Sequence, residues 1–307
     1  MLFPSEVFLF MFLPFVLAIY YLVLRKHTKG KNIFLFVMSL LFYAYGEPKY
    51  VFLMLFMILF HYFLGLCIDK YHSKWILVFM AIADICILGY FKYLNFIVSI
   101  FTGNLNTFKI ALPIGISFYT FQAISYVVDV YRGTGKVQKN FLNVGLYISL
   151  FPQLIAGPIV RYETIEKEIE NRKETINDFC LGVTRFIIGL GKKVLLANKF
   201  AIVADAVFAG VKSGSTTNSF LFLWLGAISY TLQIFFDFAG YSDMAIGLGR
   251  MFGFHFMENF KYPYISKSIS EFWRRWHISL QTWFRDYIYI PLGGSRVNSK
   301  VRLDNMK

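Results

Sequence analysis

Between Ser266 and Arg296 the chain reads SKSISEFWRRWHISLQTWFRDYIYIPLGGSR. One short stretch combines a histidine, His277, with paired Arg274 and Arg275 and three tryptophans, Trp273, Trp276 and Trp283. An imidazole titrates near neutrality, so His277 has the right chemistry for a general base. A histidine among aromatics is also commonly a packed structural group, and residue type alone leaves both readings open. Tryptophan and arginine mixed this way suit a helix at the membrane interface, or one lining a cavity inside the bundle. A metal site is not expected: His255 stands 22 residues away and no HxxxH occurs. The chain also lacks GxSxG, a P-loop and a dinucleotide fingerprint.

The local pattern predicts one helix for this stretch. Ser268 and Glu271 fit a capping box, with Ser268 as N-cap and Glu271 at the third helical position. The helix is predicted from about Ile269 to about Tyr289, ended by Pro291 and Gly293-Gly294. Phe272, Trp273, Trp276, Leu280, Trp283 and Tyr287 then share a broad face, with the arginines on the other side. His277 falls toward the aromatic side.

The elements that must hold this stretch read as membrane helices. Of 307 residues, 57% are hydrophobic, 20% aromatic and 16% charged, and the mean hydropathy is +0.54. Apolar runs long enough to cross a bilayer occur repeatedly. They are expected at Val7–Leu24, Ile33–Tyr45, Tyr50–Ile68 and Trp75–Phe91, the first four as antiparallel neighbours. Phe96–Phe101 either extends the fourth helix past Lys92 or lies at the interface. Arg25, Lys26, Lys29 and Lys31 after the first run point to a cytoplasmic loop and an outward N-terminus. No cleaved signal peptide is expected. The net charge of +13 fits basic flanks of spans facing anionic lipid, not nucleic acid. Cys67, Cys86 and Cys180 form no pairing pattern and are expected to be buried free thiols.

Further along, Leu112–Tyr131 is a span rich in small and hydroxyl residues, so it is expected at the centre of the bundle. Val144–Val160 is broken by Pro152, Gln153, Gly157 and Pro158, and reads as re-entrant or as a proline kink. Tyr162–Asn177 carries Ile165, Ile169 and Ile176 at helical spacing among charges, as an interfacial amphipathic helix would. Phe179–Leu196 is a span with Arg185 inside it; the arginine faces a cavity or the span is partly interfacial. Phe220–Phe236 runs on into FFDFAGYSDMAIGLGRMFGF, which places Asp237 and Asp243 in apolar helix, where carboxylates face protein interior or water. Gly240, Gly247 and Gly249 allow another backbone to come close. From physics alone, broken helices with intramembrane charges fit a transporter or channel as well as an enzyme.

The run from Asp237 to Arg296 resembles the signature region of the membrane-bound O-acyltransferase (MBOAT) family, most closely its alginate O-acetylase (AlgI-like) branch and more distantly the teichoic-acid D-alanylation (DltB) branch. LFPQLIAGPIVRY matches the same branch. The resemblance covers essentially the whole chain. It implies an all-α polytopic membrane protein of the bacterial cell (inner) membrane, a multi-helix bundle with a re-entrant segment and interfacial helices enclosing a tunnel. It implies acyl transfer from a cytoplasmic thioester, acetyl-CoA or carrier-bound, to a hydroxyl, with acetyl and an exported polysaccharide as the expected pair. No cofactor is expected to be bound. D-alanyl transfer to teichoic acid is the alternative within the family. Expected partners are membrane lipids, an acyl carrier, and a secreted SGNH-type acetyltransferase or polysaccharide export machinery. His277 matches the first of the family's two histidines and would orient the donor or polarise its carbonyl. Asp237, Tyr241, Asp243, Trp273, Trp276, Pro152, Gln153, Gly157 and Pro158 would shape the tunnel, and Arg274 and Arg275 would meet the donor or lipid phosphates. The second histidine, in a Trp-His-Gly context, is expected beyond Lys307. Residues 1–307 are accordingly read as the N-terminal part of one MBOAT transmembrane domain, with no closing apolar helix in VRLDNMK.

Overall fold

The computed structural model describes residues 2–103, 108, 110–214 and 219–294. Ser295, Arg296 and the VRLDNMK end lie outside the described residues. Among the described residues every regular element is helical. In chain order these are α1 (Val7–Val23), α2 (Thr28–Gly46), α3 (Val51–Tyr71) and α4 (Lys74–Thr102). Then come α5 (Ile116–Arg132), α6 (Phe141–Ser149), α7 (Phe151–Leu154) and α8 (Tyr162–Asn171). Finally α9 (Ile176–Ser213), α10 (Phe220–Met251), α11 (Ile269–Arg275) and α12 (Ile278–Phe284) follow, the last continued by a π turn over Arg285–Tyr289. Four of them, α3, α4, α9 and α10, are long and apolar enough to cross a membrane. Their exposed sides are apolar, as at Phe52, Phe101, Leu195 and Leu221, which is where lipid stands in for a core. The molecule is a multi-pass helical membrane protein.

The core forms where aromatic faces meet. Phe8 and Phe12 of α1, Phe42 of α2 and Phe151 of α7 interlock with ring centroids 5.4–6.3 Å apart. The central position expected for the small-residue span is found: α5 is buried along most of its length and packs on α3, α4, α6 and α8. Packing of the early helices differs from the hairpin expectation. α3 packs chiefly on α5, and α2 chiefly on α6, because their buried faces are turned toward the later elements and only weakly toward each other.

Several boundaries move. The fourth span runs without a break through a π turn at Gly89–Tyr93 to Thr102, so Phe96–Phe101 extends it. The span containing Arg185 continues through another π turn, Lys192–Ala197, to Ser213. Lys29 and Lys31 belong to α2, and Lys31 is buried against Glu174 at 3.0 Å. The charged helix ends at Asn171: Ile165 and Ile169 are buried, but Ile176 is exposed at the start of α9. Cys86 and Cys180 are exposed and Cys67 half-buried. An apolar neighbourhood in sequence means lipid-facing surface here, not core.

The broken segment is buried and sharply folded. α6 stops at Ser149, Phe151–Leu154 makes one short turn, and the chain continues to Val160 through a turn and without regular structure. A side chain at Gly157 would put its Cβ 2.6 Å from the Gln153 backbone, and one at Gly115 would meet the Leu154 carbonyl at 2.7 Å. The turn therefore closes only over glycine.

Candidate functional site at the helix break

The helix predicted from Ile269 to Tyr289 is two helices. α11 is capped by Ser268, whose hydroxyl accepts the Glu271 N–H at 3.1 Å, while the Glu271 carboxylate accepts the N–H of Lys267 at 2.9 Å. The return arm of the capping box thus lands one residue earlier than predicted. α11 ends at Arg275, and His277 sits between the helices in the left-handed region, φ 44°, ψ 53°. That conformation costs about 1–2 kcal/mol for a side-chain-bearing residue. Two backbone hydrogen bonds to the Asn259–Lys261 strand of loop hold it there: Lys261 N–H to Arg275 O and Ile278 N–H to Asn259 O, both 2.9 Å. Periodicity missed the break because the aromatic spacing runs through it.

The break presents His277 to Asn259. Asn259 Oδ1 accepts the Ser279 backbone N–H at 3.2 Å and the Ser279 hydroxyl at 2.9 Å, and lies 3.0 Å from His277 Nδ1. The backbone N–H can only donate, so the atom facing it is the oxygen, and His277 Nδ1 must carry the proton. The lone pair of the neutral ring is left on Nε2. Phe238, Phe260 and Phe118 surround the ring with centroids 4.7–6.5 Å away. Burial, with no charged partner, pushes the imidazole down to about 4, so His277 is neutral at pH 7.

Two cavities flank this histidine, each one side chain away. A cavity of about 510 Å³ is lined by Asn259 and Phe260, with Ser242, Asp243, Arg185 and Lys192 among its other walls. A second, of about 400 Å³, is lined by Phe238 with Asp237, Tyr241, Gln233 and Ala156. The carboxylates between them are compensated. Arg185 binds Asp243 at 2.7 Å and also Glu258, Lys192 binds Asp243 at 2.6 Å, and Lys193 binds Asp237. Arg185 therefore faces a cavity. The two lysines are consecutive; the wider π turn narrows the angle between them, so both reach α10.

Of the residues singled out by sequence, the structure gathers His277, Asp237, Tyr241 and Asp243, together with Arg275, which lines the larger cavity and pairs with Glu271 at 2.7 Å. Trp276 packs on Phe260 and Phe235, behind that cavity. Trp273 is half-exposed and Arg274 bonds its own helix at Ser270 O; both stand outside the two cavities. The helix break turns them away from His277. Pro152, Gln153, Gly157 and Pro158 are buried behind the site and support it from the rear: the Ile159 N–H donates to Ser279 Oγ at 3.0 Å. Asn259, Ser279 and Ser242 were not singled out, since a lone Asn or Ser carries no spacing signal. Trp283 anchors α12 by donating from its indole nitrogen to Ser125 Oγ at 2.8 Å on α5.

The chain belongs to the membrane-bound O-acyltransferase family, whose model matches residues 137–303, more than half of the chain. It is similar to a probable alginate O-acetylase (AlgI) of Pseudomonas syringae, 46% identical over 96% of this chain and 58% of that protein. It is also similar to a peptidoglycan O-acetyltransferase of Helicobacter pylori, 36% identical over the whole chain and 64% of that protein. A teichoic acid D-alanyltransferase of Bacillus subtilis is 33% identical over 58% of this chain and 45% of that protein. The chain spans about 60% of the length of the first two relatives.

Proposed function

We propose that the complete protein is a membrane O-acyltransferase that moves an acetyl group from a thioester donor, acetyl-CoA or carrier-bound, to a hydroxyl of an exported polysaccharide in a bacterial cell membrane. The observation that carries this reading is His277: neutral, fixed by Asn259, and buried between two cavities in a chain of this family. The names of the alginate and peptidoglycan relatives support acetyl and polysaccharide over D-alanyl and teichoic acid. A secreted SGNH-type acetyltransferase or export machinery, and an acyl carrier, would be the partners.

The geometry narrows the part His277 plays. Its single N–H is committed to Asn259, so it has nothing to donate to a carbonyl oxygen. With a pKa of about 4 it is also too weak a base to hold a hydroxyl proton at neutral pH. It suits a hydrogen-bond acceptor at Nε2 that orients the incoming hydroxyl, while a second histidine of the family takes the proton. Arg275, which lines the larger cavity while paired with Glu271, would meet a donor phosphate, and Arg274, outside both cavities, would meet lipid phosphates. The test is ester-linked acetate on polymer from cells carrying only the full-length His277→Ala variant. Acetylation is expected to fall at least tenfold at equal protein level. Unchanged acetylation would take His277 out of the mechanism, and a wild-type protein that esterifies no polymer would overturn the reading itself.

A further inference from the structure

The neutral, Nδ1-protonated His277 leaves an unmet need. Thioester cleavage develops negative charge on the carbonyl oxygen, and enzymes stabilise it with donors already in place. The larger cavity contains two candidates. Asn259 is buried to 1% exposure, and while its Oδ1 is fully used, its Nδ2 has no partner. Ser242, buried to 2% on α10, likewise has an unpartnered Oγ. Buried polar atoms without partners are uncommon, and each costs about 1–3 kcal/mol. Both residues line the same 510 Å³ cavity, beside His277. Among the other walls, Arg185 and Lys192 are paired with Asp243, Arg185 also with Glu258, and Arg275 with Glu271 outside the cavity; Lys261 and Tyr262 complete the polar lining.

We propose that the Asn259 amide and the Ser242 hydroxyl form the carbonyl-binding site for the thioester donor in this cavity. The inference rests on the acyl-transfer reading above. In the step it serves, the acceptor oxygen bonds to the carbonyl carbon as the histidine base takes the hydroxyl proton, and the C=O π pair moves onto oxygen. Asn259 Nδ2–H and Ser242 Oγ–H donate to that oxygen. The intermediate then re-forms C=O, the C–S bond breaks, and the thiolate leaves with the electron pair and receives the proton. Asn259 thus works with both ends of its amide: Oδ1 sets the tautomer of His277, and Nδ2 meets the acyl carbonyl.

The test uses the full-length protein in detergent and two probes, S-acetonyl pantetheine, which carries a carbonyl, and S-propyl pantetheine, its isostere without one. Wild type is expected to bind the ketone at least tenfold more tightly. Ser242→Ala is expected to cut that preference severalfold. Asn259→Asp keeps the acceptor for Ser279 and His277 but loses the amide donor, and is expected to abolish the preference and lower kcat about 10²–10³-fold with little change in KM. Equal or absent binding of the two probes by wild type overturns the proposal. So does an unaltered preference in both variants while each retains the wild-type melting temperature. A wild type that discriminates between the probes but transfers no acetyl to polymer would instead sink the reading on which the proposal rests.

Discussion

His277 shows how much of a residue's chemistry comes from its neighbours. Its type allows a base, an acid or a ligand; one carbonyl oxygen, on Asn259, and three phenylalanine rings reduce that to a neutral acceptor. The same burial predicts a pH dependence. The folded-state value near 4 lies below the ordinary 6.5, so between those limits the unfolded chain binds more protons than the native one. The stability this contributes is complete above pH 6.5 and is lost as pH falls toward 4, about 3 kcal/mol in all. Melting curves in detergent from pH 7.5 to 4 are expected to fall less steeply for His277→Gln than for wild type. A second histidine is buried deeper still. His61 Nε2 lies 3.2 Å from Asp84 Oδ2, and its Nδ1 faces the Met57 carbonyl, with both side chains almost fully buried. Both ring nitrogens thus face oxygens, and the pair ties α3 to α4 inside the bundle. Asp84→Ala strands the imidazole and is expected to cost about 3–5 kcal/mol, whereas replacing both residues by leucine is expected to cost less; a thermal-unfolding comparison of the two variants checks this. Nothing in the sequence marked this pair, because the two residues stand 23 apart on separate helices and only packing brings them together.

At the scale of elements, periodicity was informative where one face is buried and silent where the chain breaks. The early helices and the cap at Ser268 were legible because hydropathy and capping are local, although of the four expected spans only α3 and α4 are among the helices long and apolar enough to cross a membrane. The buried turn at Pro152–Gly157 was legible from proline and glycine alone. The break at His277 was not, because its cause is the hydrogen bonding of residues 259–261, a contact made by the fold. The continuation of α9 past Leu196 to Ser213 was not legible, and neither was the part played by Lys192 and Lys193, the counter-ions of Asp243 and Asp237. Gly240 and Gly247 of α10 were read correctly as points where another backbone comes close, whereas Gly249, read the same way, meets the Phe256 side chain instead. A Cβ on Gly247 would stand 2.6 Å from Gly182 O, and one on Gly240 2.8 Å from Gly189 O. Backbone cannot yield as a side-chain tip can. Gly247→Val is expected to abolish monodisperse protein in detergent. Gly249→Ala, which meets only the Phe256 ring, is expected to leave folded yield within a factor of two to three.

At the scale of the molecule, the residues singled out by sequence divide into those facing the two cavities, those that hold the walls, and Trp273 and Arg274, which stand outside both. Composition made the membrane bundle legible, and a long matching run made the family legible. The pairing of charges across α9 and α10 was not, since it depends on which helix faces carry them. The two glycine pairs give this arrangement a mechanical consequence. With Gly182 against Gly247 and Gly189 against Gly240, the two backbones touch directly at two points with no side chain between them that could rotate aside, and the salt bridges of Arg185, Lys192 and Lys193 lie alongside. α9 and α10 form a stiff plank. Spin labels across the seam should report a single narrow distance through the reaction cycle, and any opening that admits substrate must come from the loop and short helices that face this plank.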